Sequence, residues 1–287
     1  MNLTPECIPC FLRQAVAVSR LVGADGAKQE RVVKRILALL SEVPFDQTPP
    51  QVATVIHSAI REELGMADPY REAKERSNIL ALGLCPQLRE LITGSSDPFA
   101  TAVRLAIAGN IIDFGQGCGV DGAKVRAAIA WALEQPLPPD VLEPFRSAVG
   151  QAESILYLGD NAGEVVFDRL LIELLPRGKV TFAVRGGPIL NDATTVDAEV
   201  AGIHELAAIV DNGSNAPGTI LLWCSPRFQE RFHRADLIIA KGQGNYETLS
   251  AVNAPIHFLL EVKCPVIANH LGCDQGTLVL RRAGSRA

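Results

Sequence analysis

Ser154-Ile-Leu-Tyr-Leu-Gly-Asp-Asn-Ala-Gly-Glu164 decides the fold of this chain. Ile155 to Leu158 reads as a short buried strand, and Val165 to Leu175 follows with the spacing of a helix. The same order then returns. Val180-Thr-Phe-Ala-Val184 reads as a strand and Asp192 to Ala201 as a helix, with further strands at Ala207 to Val210 and Leu237 to Ala240. Strands alternating with helices predict a three-layer α/β/α domain with a mainly parallel sheet. In such folds ligand chemistry gathers where the strands end and the loops begin.

The half before this stretch has a different texture. Arg31 to Leu40, Val52 to Leu64 and Ala123 to Leu133 carry apolar residues at helical spacing. Breakers stand between such segments: Pro49-Pro50, Asp68-Pro69, Asp97-Pro98, and Pro136, Pro138 and Pro139. Leu137 to Gly150 is the expected boundary. The expected organisation is an N-terminal helical subdomain over 1–145 and an α/β domain over 146–287. Arg281 to Ala287 reads as a frayed basic tail.

A net charge of −5 disfavours a nucleic-acid backbone as partner, while a local positive site for a small anion stays compatible with it. The apolar runs are far shorter than the roughly 20 residues of a membrane span. Met1 to Leu12 lacks a basic start followed by an apolar run, so no signal peptide is expected. Seven cysteines, an odd number, point to reduced thiols and a cytoplasmic protein.

Three loops carry the chemistry. The first is Gly159-Asp-Asn-Ala-Gly-Glu164, where Asp160 and Asn161 are hard oxygen donors suited to a divalent cation; a plain helix cap explains them equally well. The second is Arg185-Gly-Gly-Pro-Ile-Leu-Asn-Asp192. Asp192 can add a second carboxylate, Arg185 can grip a phosphate through two hydrogen bonds, and Asn191 is a candidate orienting donor. The third is Lys241-Gly-Gln-Gly-Asn245, a lysine closing a buried strand before a glycine-bearing turn. It reads as an anion cradle built from Lys241, Gly242 and Asn245, or as a solvent-exposed lysine in a flexible turn. In the helical half, Asn110 and Asp113 share a helix face, for which an ordinary polar surface is the simpler reading. Cys7-Ile-Pro-Cys10 has no second pair at zinc-ligand spacing. It reads as a structural or weak metal/thiol site, or as two unlinked thiols. Phosphate-loop, dinucleotide and serine-elbow motifs are missing.

In this order the motifs resemble those of the metal-dependent damage-control phosphatases (domain of unknown function 89), in their stand-alone prokaryotic branch. The strings are Cys7-x-x-Cys10, Asp68-Pro-Tyr70 with Lys74 and Asn78, Gly109-Asn110-x-x-Asp113, Gly159-Asp-Asn-Ala-Gly-Glu164, Asn191-Asp-Ala-Thr194, Lys241-Gly-Gln-Gly-Asn245 and Lys263-Cys264. The resemblance implies that Asp160, Asn161 and Asp192 bind manganese, cobalt, nickel or magnesium. It implies that Lys241 contacts the substrate phosphate and that Glu164, Arg185, Asn110 and Asp113 line the pocket. The expected activity is hydrolysis of phosphate monoesters of small metabolites, with Asp160, Asp192 and Glu164 as candidate catalytic carboxylates. The rival readings are a nucleotide-dependent transferase and a metal- or metabolite-binding module without turnover.

Overall fold

The computed structural model describes residues 1–109 and 122–284. The chain opens with helices α1 (Ile8–Leu21), α2 (Gly26–Ser41), α3 (Pro49–Leu64), α4 (Arg71–Thr93), α5 (Pro98–Ala108), α6 (Gly122–Glu134) and α7 (Pro139–Gln151). Alternation follows: β1 (Ile155–Leu158), α8 (Glu164–Ile172), β2 (Val180–Val184), α9 (Thr195–Val200), β3 (Ala208–Asp211) and α10 (Pro226–Arg234). It ends with β4 (Leu237–Lys241), α11 (Gly242–Leu249), β5 (Ile256–Glu261), α12 (Pro265–Leu271) and β6 (Leu278–Arg282).

Several prolines expected between elements instead open them. Pro49 and Pro50 form the first turn of α3, behind a Thr48–Gln51 capping box. Asp97 caps α5 through Ala100 N and Pro98 follows it. Pro139 begins α7, which runs through the stretch read as a boundary. The first helical turn has no partner for its N–H groups, so the donor that proline lacks costs nothing there.

The sheet has the order β3-β2-β1-β4-β5-β6. All neighbours are parallel except β5 and β6. Arg281 and Arg282, expected in a frayed tail, belong to β6 and pair with Phe258 and His257. Alternate strand residues point to opposite faces. Ile155, Tyr157, Phe182, Val184, Leu237 and Ile239 join one core with α4, α5, α7 and α8. Leu156, Leu158, Ile238, Ala240, Phe258 and Leu260 join another with α10, α11 and α12. A continuously buried central sheet explains why the strands read as unbroken apolar runs.

Helices α1 to α3 enclose a third core around Phe11, Val32, Ile36, Val52, Ile56 and Ile60. Leu190 packs against it, and Arg61 Nη1 donates to Pro188 O at 3.2 Å. The helical bundle therefore braces the loop that leads to Asp192. His57 lies in this bundle, 2% exposed, with Nε2 3.2 Å from Gln14 Oε1. Burial, reinforced by Arg61, lowers its pKa from 6.5 to about 3. The unfolded chain binds this proton first, so His57 costs stability as pH falls below 6.5. In urea titrations, His57→Gln is expected to reduce the stability lost between pH 6.5 and pH 5 by about 2 kcal/mol. An unchanged loss would refute the assignment.

Candidate active site

From β1 the chain winds outward through β2 and β3, then returns to place β4 on the other side of β1. A crevice opens at the carboxyl ends of two strands where the winding reverses in this way. Leu158 is in register with Ala240, so Asp160 and Gly242 face each other across the crevice. The loops after β1 and β2 are tied by backbone. Ala162 N donates to Asn191 O at 2.9 Å and Ala193 N to Asp160 O at 2.7 Å, so Asn161 and Asp192 form an isolated bridge. That bridge is why α9 starts at Thr195 and not at Asp192. Leu190, just before it, has a positive φ of 46°, the kind of strained backbone that persists where surrounding structure enforces it.

The side chains form two linked ionic groups. Arg185, 2% exposed, donates through Nε to Asp192 Oδ2 at 2.6 Å and through Nη2 to Asp160 Oδ1 at 3.4 Å. Lys241 is fully buried, and its ammonium donates to Ala106 O at 2.8 Å, Glu164 Oε1 at 2.6 Å and Asp168 Oδ1 at 2.5 Å. The Ala106 carbonyl lies in the last turn of α5, the negative end of that helix. Asn161 joins the groups: its Nδ2 donates to Asp160 Oδ2 at 3.0 Å and to Glu164 Oε2 at 3.2 Å. A fully buried lysine is uncommon without partners. Here the partners hold its pKa well above the ordinary value, against the effect of burial.

The donor set fits a hard divalent cation. Asp160 and Asp192 offer carboxylate oxygens and Asn161 an amide oxygen, the ligand type preferred by magnesium and manganese. Four carboxylates (Asp160, Glu164, Asp168, Asp192) against Lys241 and Arg185 leave two negative charges in this cluster. Burial first, then the charges of Asp192 and Glu164, push Asp160 up to about 8. A cation would relieve that crowding. Among the described residues no three His, Cys, Asp or Glu side chains form a ready-made metal cage, so an ion here would draw on Asn161.

The remaining expected residues take varied places. Asn245 is a buried tie: its Nδ2 donates to Lys241 O and Gly159 O, and its Oδ1 accepts from Thr219. Gly242 has φ +76° and touches Asp160, which leaves no space for a Cβ. Asn191 is half-buried and contributes its backbone carbonyl. Cys7 and Cys10 are half-buried free thiols at the start of α1, and burial pushes Cys10 up. Asn110 and Asp113 lie outside the described residues; Gly109, just before them, packs tightly on Glu164.

Four residues to which the sequence assigns no role also belong here. Asp168 and Tyr157 lie beneath Lys241, with Tyr157 Oη donating to Asp168 Oδ1 at 2.7 Å. Asn78 accepts from Gly163 N at 2.7 Å and so fixes the loop after β1. Lys263 stands just beyond β5, exposed, close enough to lower the Asp160 pKa. Its ammonium makes no ion pair among the described residues. Asp168 lies four residues after Glu164, one helical turn along, and that spacing is the signal that could have found it.

A family model described as Damage-control phosphatase ARMT1-like domain matches residues 3–279. A damage-control phosphatase of Archaeoglobus fulgidus is 36% identical over 288 residues, covering 98% of this chain and 99% of that protein. One from Pyrococcus horikoshii is 34% identical over 287 residues, covering 98% of each. A crystal structure of a DUF89 family protein from Pyrococcus horikoshii matches with a TM-score of 0.90 at 34% identity, over 99% of both chains.

Proposed function

The chain belongs to the damage-control phosphatase ARMT1-like family, and we propose that it is a metal-dependent phosphatase of small phosphorylated metabolites. The observation that carries this reading is the bridge between the loops after β1 and β2, which sets Asp160, Asn161 and Asp192 side by side at the switch point. These three residues would hold manganese, cobalt, nickel or magnesium. A divalent cation supplies charge against the phosphoryl oxygens and lowers the pKa of an attacking water.

The chain's own groups do the rest. Glu164, whose Oε2 accepts from Asn161 at 3.2 Å, or Asp192, bridged to Asn161 through the backbone, orients the water and receives its proton. Arg185 keeps Asp160 and Asp192 together. Lys241 has no hydrogen left for a phosphate, since three acceptors take all of them. We therefore assign the phosphate contact to Lys263 at the mouth. Free thiols at all six described cysteines fit a reducing, cytoplasmic setting. No helix among the described residues is long and apolar enough to cross a membrane.

The test is phosphate release from sugar phosphates and an aryl phosphate with each metal or with EDTA. Release that needs the metal supports the reading, and its absence with every metal and substrate refutes it. Lys263→Ala is expected to raise KM about 10-fold or more, the worth of a charge-assisted hydrogen bond, with little change in metal affinity. An unchanged KM would return the phosphate contact to another group.

A further inference from the structure

Beneath the donor set lies a buried hydrogen-bonded network. Tyr157, Asp168, Glu164 and Lys241 are all fully buried. Tyr157 Oη and Lys241 Nζ both donate to Asp168 Oδ1, and Lys241 Nζ also donates to Glu164 Oε1. Glu164 then uses its other oxygen, Oε2, to accept from Asn161 Nδ2. The second Nδ2 hydrogen goes to Asp160 Oδ2. Both amide hydrogens of Asn161 are thus fixed by carboxylates, and the reverse orientation would set its oxygen against two anions. Its Oδ1 accepts no hydrogen bond among the described residues.

We propose that Tyr157, Asp168 and Lys241 are positioning residues that set the affinity for the divalent cation, by holding Glu164 so that Asn161 turns its amide oxygen to the ion. The inference rests on the metal reading given above and deepens it. Groups behind metal ligands fix ligand orientation, and their loss typically costs 10–100-fold in affinity. Lys241 is the hub because a single ammonium joins the end of α5, α8 and β4. Tyr157 is anchored independently by stacking on Phe182, with ring centroids 5.4 Å apart. Its hydroxyl can therefore be removed while the ring keeps its place. Asp168 Oδ2 has no partner among the described residues, so an amide there meets no donor it must displace.

The experiment is manganese titration by calorimetry of the full chain, wild type beside Asp168→Asn and Tyr157→Phe, with phosphate-release kinetics at saturating manganese. Asp168→Asn is expected to weaken manganese binding 10–100-fold and Tyr157→Phe several-fold. In both, KM for the phosphorylated substrate at saturating metal stays within about 3-fold of wild type, because neither residue touches substrate. Folded variants with wild-type manganese affinity overturn the inference alone. If Asp168→Asn does not fold, Tyr157→Phe decides. A wild type that binds no manganese overturns the metal reading itself, and the inference with it.

Discussion

Asp160→Asn is expected to abolish metal-dependent phosphate release and to leave a folded protein whose metal-free form melts higher than wild type. The loss should be on the order of 1000-fold in kcat/KM, as when a centrally placed electrostatic group is removed. The stability gain comes from the same crowding that makes the site. Asp160 is buried beside Asp192 and Glu164, and its pKa rises to about 8 from 3.8. The native state therefore holds this proton more tightly than the unfolded chain between those values, and stability falls as pH rises through that window. A neutral amide removes the cost, and each kcal/mol regained raises Tm by about 2–4 °C. Scanning calorimetry at pH 7.5 in EDTA measures the gain. Addition of manganese should raise the wild-type Tm and leave the variant's unchanged. A variant that still releases phosphate at wild-type rates would remove Asp160 from the site.

Gly242→Ala is the second large effect, and it needs no change of charge. Gly242 has φ +76°, a conformation that costs a side-chain-bearing residue roughly 1–2 kcal/mol. The greater difficulty is space. The new methyl carbon would lie 1.8 Å from Asp160 Oδ2 and 2.3 Å from Asp160 Cγ. The carboxylate must move, and Arg185 and Asn161, both bound to it, must follow. We expect at least a 100-fold loss of kcat/KM, weakened manganese binding, and a destabilisation of about 2–4 kcal/mol from strain and overpacking. Calorimetry and phosphate-release assays check both parts. Full activity in the alanine variant would mean that the Asp160 carboxylate does not lie against Gly242 in the working enzyme.

The α/β half was legible because its signals are local. The runs at Ile155 to Leu158, Val180 to Val184 and Leu237 to Ala240 are each followed within two residues by a glycine, and each is a strand in the structure. The resemblance carried the family and the loops that meet at the switch point. The prolines were misleading because a breaker between helices and a residue opening a helix look alike until the cap is seen, as at Thr48 and Gln51. β6 escaped notice because its pairing with β5 is antiparallel and its last residues are arginines. The ion partners of Lys241 were out of reach for another reason. Glu164 and Asp168 lie 77 and 73 positions away in the chain, and no local pattern announces a contact at that distance.

That separation also governs how the site comes into being. β4 docks beside β1 only after the chain has traversed β2, β3 and α10. Closing so long a loop costs entropy before any contact repays it. Until it closes, the segment that carries Asp160, Asn161, Glu164 and Asp168 has its acids without the ammonium that balances two of them. A fragment is therefore incomplete: a peptide with Asp160, Asn161 and Asp192 but no β4 would keep Arg185 and leave Glu164 and Asp168 without their ammonium. Catalytic competence in this chain is a property of completed topology, acquired with the strand that closes the middle of the sheet.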